Sequence, residues 1–128
     1  MRLNFLRQGI SGAAIEVHRE LGPGLLEQTY ETCLFHELTL RGLSVERQSL
    51  LPIRFKELVV KDAYRIDLLV ENKIIIELKS VEKIQQIHSA QLLTYLKLSN
   101  KHLGLLINFN VPLLKDGVRR LANQLPEQ

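Results

Sequence analysis

Leu6, Ile10, Ala13, Val17 and Leu21 recur at spacings of four and three, the stripe of an amphipathic helix. Gly22-Pro23-Gly24 ends that helix and permits a sharp turn. A second helix is predicted from about Leu25, with Leu26, Tyr30, Cys33, Leu34 and Leu38 on its buried side and Gly42 as its C-terminal cap. The period then changes. Ser44 to Phe55 alternates loosely through Val45, Leu51, Ile53 and Phe55, and Pro52 argues for an edge strand or a bulge. Tyr64 to Val70 and Ile74 to Leu78, separated by Glu71-Asn72-Lys73, predict an antiparallel hairpin near the centre of a sheet. Ile84, Ile87, Leu92, Leu93 and Leu96 mark a helix from about Val81 to Leu98. A strand over Leu103 to Phe109 follows, then a closing helix over Leu113 to Leu125, begun after Pro112. The order is helix, helix, three strands, helix, strand, helix. It implies an α/β chain, of the α+β kind with a mixed sheet and helices packed on it.

Composition adds bounds. The 128 residues fit one domain, expected to span 1–128, and suffice for a buried core. Apolar residues make up 45% and charged residues 24%, the balance of a globular protein. The formal charge of +3 suits a phosphate-rich partner without requiring one. Cys33 is the only cysteine, so no internal disulfide forms and a reducing cytoplasm is the expected setting. No apolar run reaches the length of a membrane span. The stretch Ile10 to Ile15 holds Ser11 and Gly12 and runs into Glu16, His18, Arg19 and Glu20, which is no secretory leader.

The candidate chemistry lies on the hairpin. Asp67, Glu77 and Lys79 interrupt strands that are otherwise nearly all aliphatic. A buried carboxylate without a partner is costly, so these charges need a metal, a counter-ion or solvent. Glu77 and Lys79 are two apart and share a face. Where Asp67 points depends on the turn. A three-residue loop Glu71–Lys73 sets it directly opposite Glu77, and a loop Val70–Asn72 sets it diagonal, on the same face. A two-residue loop separates the two acids across the sheet unless a bulge intervenes. Converging carboxylates suit Mg²⁺ (or Mn²⁺), with the Leu78 carbonyl as a further oxygen and Lys79 stabilising charge on a phosphoryl group. The competing reading is an Asp67–Arg65 or Glu77–Lys79 ion pair at a fraying strand end. Acid-x-Lys alone has no specificity, since Glu71-Asn72-Lys73 matches it too.

Gly24-Leu25-Leu26-Glu27-Gln28-Thr29-Tyr30 resembles the signature of the small prokaryotic GxxExxY proteins. The flanking Ala13 to Gly24 and Leu105-Leu106-Ile107-Asn108-Phe109-Asn110 are similar to that family as well. The family is assigned to the PD-(D/E)XK nuclease superfamily. The resemblance implies a restriction-endonuclease-like core, helix–three strands–helix–strand over about 24–110, with an added helix at each end. It implies a metal-dependent nuclease with Asp67, Glu77 and Lys79 as its motif residues. Glu27 would be an acid on the first core helix, contributing to catalysis and metal binding. Gln91 would be a polar residue on the helix after the lysine. Ile66 stands where the motif often has proline. Metal ligands would be Asp67, Glu77, the Leu78 carbonyl and Glu27.

His88, Gln91 and Tyr95 share one helix face, and with Tyr30 and Arg65 they are candidates to line the site. Tyr30, four before Leu34, reads better as core. Lys97, Lys101, Lys115, Arg119 and Arg120 hold a phosphate backbone only if they gather beside Arg65. The implied partner is nucleic acid, DNA ahead of RNA, with no membrane. Two alternatives stand beside hydrolysis. One is a nuclease-fold module that binds or regulates without turnover. The other is a homodimer formed through the first helix, which requires Leu6, Ile10 and Val17 to be exposed in the single chain.

Overall fold

The computed structural model describes residues 1–125. Helix α1 (Leu3–Leu21) buries Leu6, Ile10, Ala13 and Val17 as their spacing requires, while Leu21 at its end is exposed. Gly22 (φ 71°) and Gly24 (φ 96°) take left-handed backbone in the turn that follows. Helix α2 (Glu27–Leu40) buries Tyr30, Leu34 and Leu38, and Cys33 is half-buried. Leu26, expected on the buried side, precedes the first helical residue and is exposed.

Five strands follow in the spatial order β1-β2-β3-β4-β5: β1 (Val45–Phe55), β2 (Leu58–Val70), β3 (Ile74–Lys79), β4 (Leu103–Asn108) and β5 (Val118–Ala122). Only β3 and β4 run parallel, joined across helix α3 (Gln86–Ser99). Helices α1 and α2 cover one face through Leu68, Val70, Ile74, Ile76 and Leu78. Helix α3 covers the other through Ile66, Leu69, Ile75 and Leu106. β1 is an edge strand, and its pairing with β2 shifts register at Pro52, between Leu51 and Ile53. A proline that cannot donate to the ladder belongs at such a place.

Two elements differ from expectation. Helix α3 starts at Gln86, not near Val81, because the Asn108 side chain ties down the Val81 backbone. It accepts from the Val81 N–H at 3.1 Å and donates to the Val81 carbonyl at 2.9 Å. The closing helix over Leu113–Leu125 does not form. A short 3₁₀ turn (Leu114–Gly117) leads instead into β5, which pairs antiparallel with β4 from Ile107↔Val118 to Leu103↔Ala122. β4 is buried along its whole length, and an open edge there would leave backbone groups without partners. Gly117 permits the close return. A Cβ at that position would lie 2.2 Å from the Asn108 carbonyl oxygen.

Candidate active site

The turn takes the first of the predicted forms. Val70 pairs with Ile74 across a three-residue loop, Glu71–Lys73, with Glu71 and Asn72 in left-handed backbone. That register runs through Leu69↔Ile75 and Leu68↔Ile76 and there stops. The next pair in line is Asp67 and Glu77, and here side chains replace the ladder. The Leu78 N–H donates to Asp67 Oδ2 at 2.9 Å, and the Asp67 N–H donates to Glu77 Oε1 at 3.2 Å. Each carboxyl thus bonds to the backbone of the opposite strand. A residue's carbonyl leaves a strand on the same side as its N–H, so the Leu78 carbonyl also points into this gap.

The alternation of faces slips at the same point. Ile66 and Leu69 belong to the core beneath α3 and Leu68 to the core beneath α2, whereas Asp67 lines a cleft beside α2. Asp67 and Leu68 thus turn to one face and break the alternation of the pleat, although the β1–β2 register runs unshifted from Arg47↔Leu68 to Ser49↔Ile66. Glu77 stays on the α3 side, where the Tyr64 hydroxyl donates to its Oε2 at 3.0 Å. The Tyr64 ring stacks on Tyr95 with centroids 3.9 Å apart. The two acids therefore enter one gap from its two sides, rather than sharing a face as the register alone implies.

The cleft holds about 430 Å³ and is lined by Glu27, Gln28, Glu31, Arg47, Gln48, Asp67 and Leu78. Glu27 and Glu31 are one helical turn apart on α2. What aims that helix is the turn before it. The Tyr30 hydroxyl donates to the Gly22 carbonyl at 2.6 Å and accepts from the Leu25 N–H at 3.1 Å, and Ser80 at the end of β3 donates to the Leu25 carbonyl. Tyr30 itself is fully buried and stacked on Phe109. The spacing Gly24-x-x-Glu27-x-x-Tyr30 thus has a physical reading: the tyrosine fastens the glycine turn, and the glutamate projects from the first helical turn beside the cleft.

Glu31, Arg47 and Gln48 are site residues that sequence reasoning passed over. Glu31 is 7% exposed. It accepts from Arg47 at 3.0 and 3.3 Å and from the Gln48 amide at 2.7 Å. Gln48, in left-handed backbone at φ 49°, also reaches Asp67 Oδ1 at 3.4 Å. The four-residue step from Glu27 to Glu31 was the available signal. Nothing in the sequence marks Gln48.

Burial, opposed by the Leu78 N–H bond and reinforced by the charges of Glu31 and Glu27, raises the Asp67 carboxyl above its ordinary value. Burial and then the neighbouring Asp67 charge push Glu77 up to about 8, against weaker help from its hydrogen bonds and Lys79. Tyr64 is raised as well, by burial and by the charge of Glu77. Two acids that resist ionisation side by side are a donor set that a hard cation would relieve.

The remaining predicted residues divide. Lys79 is half-buried on β3, and among the described residues neither it nor Asp67, Glu77 or Arg65 forms an ion pair within 4.0 Å, so the ion-pair alternative is not realised. Tyr95 reaches the site only through Tyr64. His88 is a helix cap, its Nδ1 accepting from the Gln85 N–H at 3.0 Å. Gln91 is exposed on α3, and Tyr30 and Arg65 do not line the cleft. Among the described residues no three His, Cys, Asp or Glu side chains gather closely enough to hold a metal ion, so Glu27 does not complete a cluster with Asp67 and Glu77. Two carboxyls and the Leu78 carbonyl still fit a cation such as Mg²⁺, which is commonly held by one or two carboxylates and keeps several waters.

No described helix is long and apolar enough to cross a membrane. Neither a curated protein nor a solved structure matches the chain. A family model does, over residues 4–121, nearly the whole of the sequence and all of the site. Proteins of that family are generally dependent on divalent metals, and the family points to nucleic acid as substrate. With its mixed sheet, the parted hairpin and this match, the chain belongs to the PD-(D/E)XK nuclease superfamily.

Proposed function

We propose that this protein hydrolyses phosphodiester bonds of nucleic acid, DNA ahead of RNA, with Mg²⁺ or Mn²⁺ held by Asp67, Glu77 and the Leu78 carbonyl. The observation that carries the reading is the parting of β2 and β3 at Asp67 and Glu77, where each acid bonds the other strand's backbone. A bound divalent cation would acidify a water and polarise the phosphoryl group. The chain's own residues do the rest. Lys79, two residues beyond Glu77 on β3, supplies positive charge for the oxyanion that develops at phosphorus. Tyr64 fixes one Glu77 oxygen, leaving the carboxyl in one orientation. Glu27 at the cleft receives or orients water, while the Arg47 and Gln48 bonds keep Glu31 and Asp67 in place. Gln91, exposed on α3, has no part in this reading.

One observation favours a second reading, a nuclease-fold module without turnover. Among the described residues no buried side-chain nitrogen or oxygen lacks a partner, so the acids are satisfied by the protein itself. The homodimer reading through α1 loses its basis, because Leu6, Ile10 and Val17 are buried within the chain. A nuclease assay across single- and double-stranded DNA and RNA, with Mg²⁺ and Mn²⁺, separates the first two. Cleavage that disappears in both Asp67→Ala and Lys79→Ala supports hydrolysis. Cleavage that survives both substitutions rules the mechanism out, and a wild-type protein that binds but never cleaves leaves the module.

A further inference from the structure

β1 and β2 continue past both cores as a two-stranded arm, through Ile53↔Val60, Arg54↔Val59 and Phe55↔Leu58, turning at Lys56-Glu57. Most of it is exposed, including Phe55, Leu58, Val59 and Val60. The two faces of this arm differ in charge. Tyr64 and Ile66 pack toward the core beneath α3, so Arg65 between them faces the other way, the side on which Asp67 lines the cleft. Leu51 also packs beneath α3, so Leu50, which pairs with Arg65, lies on the cleft side, and Arg54 falls on that side as the strand alternates. Lys61 sits where β2 spends three residues, Lys61 to Ala63, against Pro52 alone. Arg54, Lys61 and Arg65 are exposed, and none forms an ion pair among the described residues. The arm's own acids are Glu57, at the tip, and Asp62, within the widened stretch.

The cleft has the opposite balance. Glu27, Glu31 and Asp67 face a single arginine, Arg47, which is already paired with Glu31. Without a cation such a cleft repels a polyanion, so a nucleic-acid substrate needs a hold outside it. The arm offers one, continuous with the cleft on the same face. At about 3.4 Å per residue Arg65 lies roughly 7 Å along the strand from Asp67, and Arg54, four residues past the Leu50 that pairs with Arg65, lies about 14 Å further, roughly 20 Å from Asp67 in all. That reach matches about six phosphates on one strand of a duplex at ~3.4 Å each.

We infer that the β1–β2 arm is the docking element for the nucleic-acid backbone, with Arg54, Lys61 and Arg65 holding phosphates and leading the strand toward Asp67. The inference rests on the hydrolytic reading of the site. It also relocates the expected basic surface. Arg119 and Arg120 lie on β5 at the other edge of the sheet, and Lys101 bonds to Asn72 at the hairpin turn, so none of these gathers with Arg65.

The test is fluorescence anisotropy of labelled DNA, duplex and single-stranded, with the full chain in EDTA over a range of salt. The wild type is compared with a variant carrying Arg54→Gln, Lys61→Gln and Arg65→Gln, and with Arg54→Lys/Arg65→Lys. The triple variant is expected to lose about tenfold or more in affinity and to flatten the salt slope by roughly two to three units. Its melting temperature is expected to stay unchanged, and the lysine variant to bind nearly as the wild type does. In cleavage with Mn²⁺, KM rises and kcat holds. A triple variant that binds with wild-type affinity and salt slope overturns the inference. If that variant behaves as wild type while the wild type cleaves, the arm alone is wrong. If the wild type binds through the arm yet never cleaves, the hydrolytic reading falls and the arm stands. If the wild type binds no nucleic acid in EDTA, the arm falls, and the hydrolytic reading falls with it where cleavage with Mn²⁺ is absent too.

Discussion

The two halves of the β2–β3 hairpin use the same strands for opposite ends. From Leu68 to Ile76 the ladder is regular, the side chains are aliphatic, and Leu68, Val70, Ile74, Ile75 and Ile76 are fully buried. One step further, at Asp67 and Glu77, the ladder stops and carboxyls take over as backbone partners. The first half gains stability by removing apolar surface from water. The second half gives up ladder bonds and holds two acids whose ionisation burial opposes. Such a local cost at the end of a rigid strand pair is what a preformed binding site requires.

Substitutions should separate the halves cleanly. The largest effect is expected at the parted end, on rate alone. Asp67→Asn or Lys79→Ala lowers cleavage by about a thousandfold or more while the melting temperature holds, since a transition-state contact is lost and no core contact is. The converse comes from the regular half. Ile75→Ala costs about 2–5 kcal/mol of stability and lowers the denaturation midpoint, with activity per folded molecule retained at low temperature. Equal loss of rate and stability in both variants would erase the distinction.

A pH series sharpens it further. Glu77 titrates near 8 in the folded chain, above its ordinary value of 4.5, so the folded state keeps a proton that the unfolded state has released. Its contribution to stability is complete below pH 4.5 and is lost as pH rises toward 8. Glu77→Gln is expected to flatten that stretch of the stability curve, read from denaturant midpoints at stepped pH. The smallest effect belongs to Tyr64→Phe. Removing one hydrogen bond to Glu77 costs about 1 kcal/mol and moves the Glu77 titration still higher, which carboxyl NMR can follow.

The sequence was most legible where period and punctuation agreed. The α1 stripe and the glycine turn were readable outright, whereas Pro52 left an edge strand or a bulge open and the hairpin loop stayed one of three forms until the register chose Glu71–Lys73. The closing helix was not, because Leu114, Val118 and Leu121 fit a helical period as well as a strand beside an open edge. Tertiary demand decided, in the form of β4's unpaired side and the close approach at Gly117. Within the site, Asp67 and Glu77 were found as acids among aliphatics. That they meet across a slip in the pleat was not readable, because period-two reasoning assumes an unbroken ladder. Glu31 had only its four-residue step from Glu27 to mark it and Gln48 nothing, because the contacts that tie them to the site lie 16 or more residues away along the chain.

Calorimetric titration of the metal-free protein with Mn²⁺, at pH 6.5 and again at pH 8.5, addresses the parted hairpin directly. The account predicts one binding event that tightens at the higher pH as Glu77 gives up its proton, and that vanishes in Asp67→Asn. Absence of binding at both pH values, or binding that Asp67→Asn leaves unaltered, would contradict it.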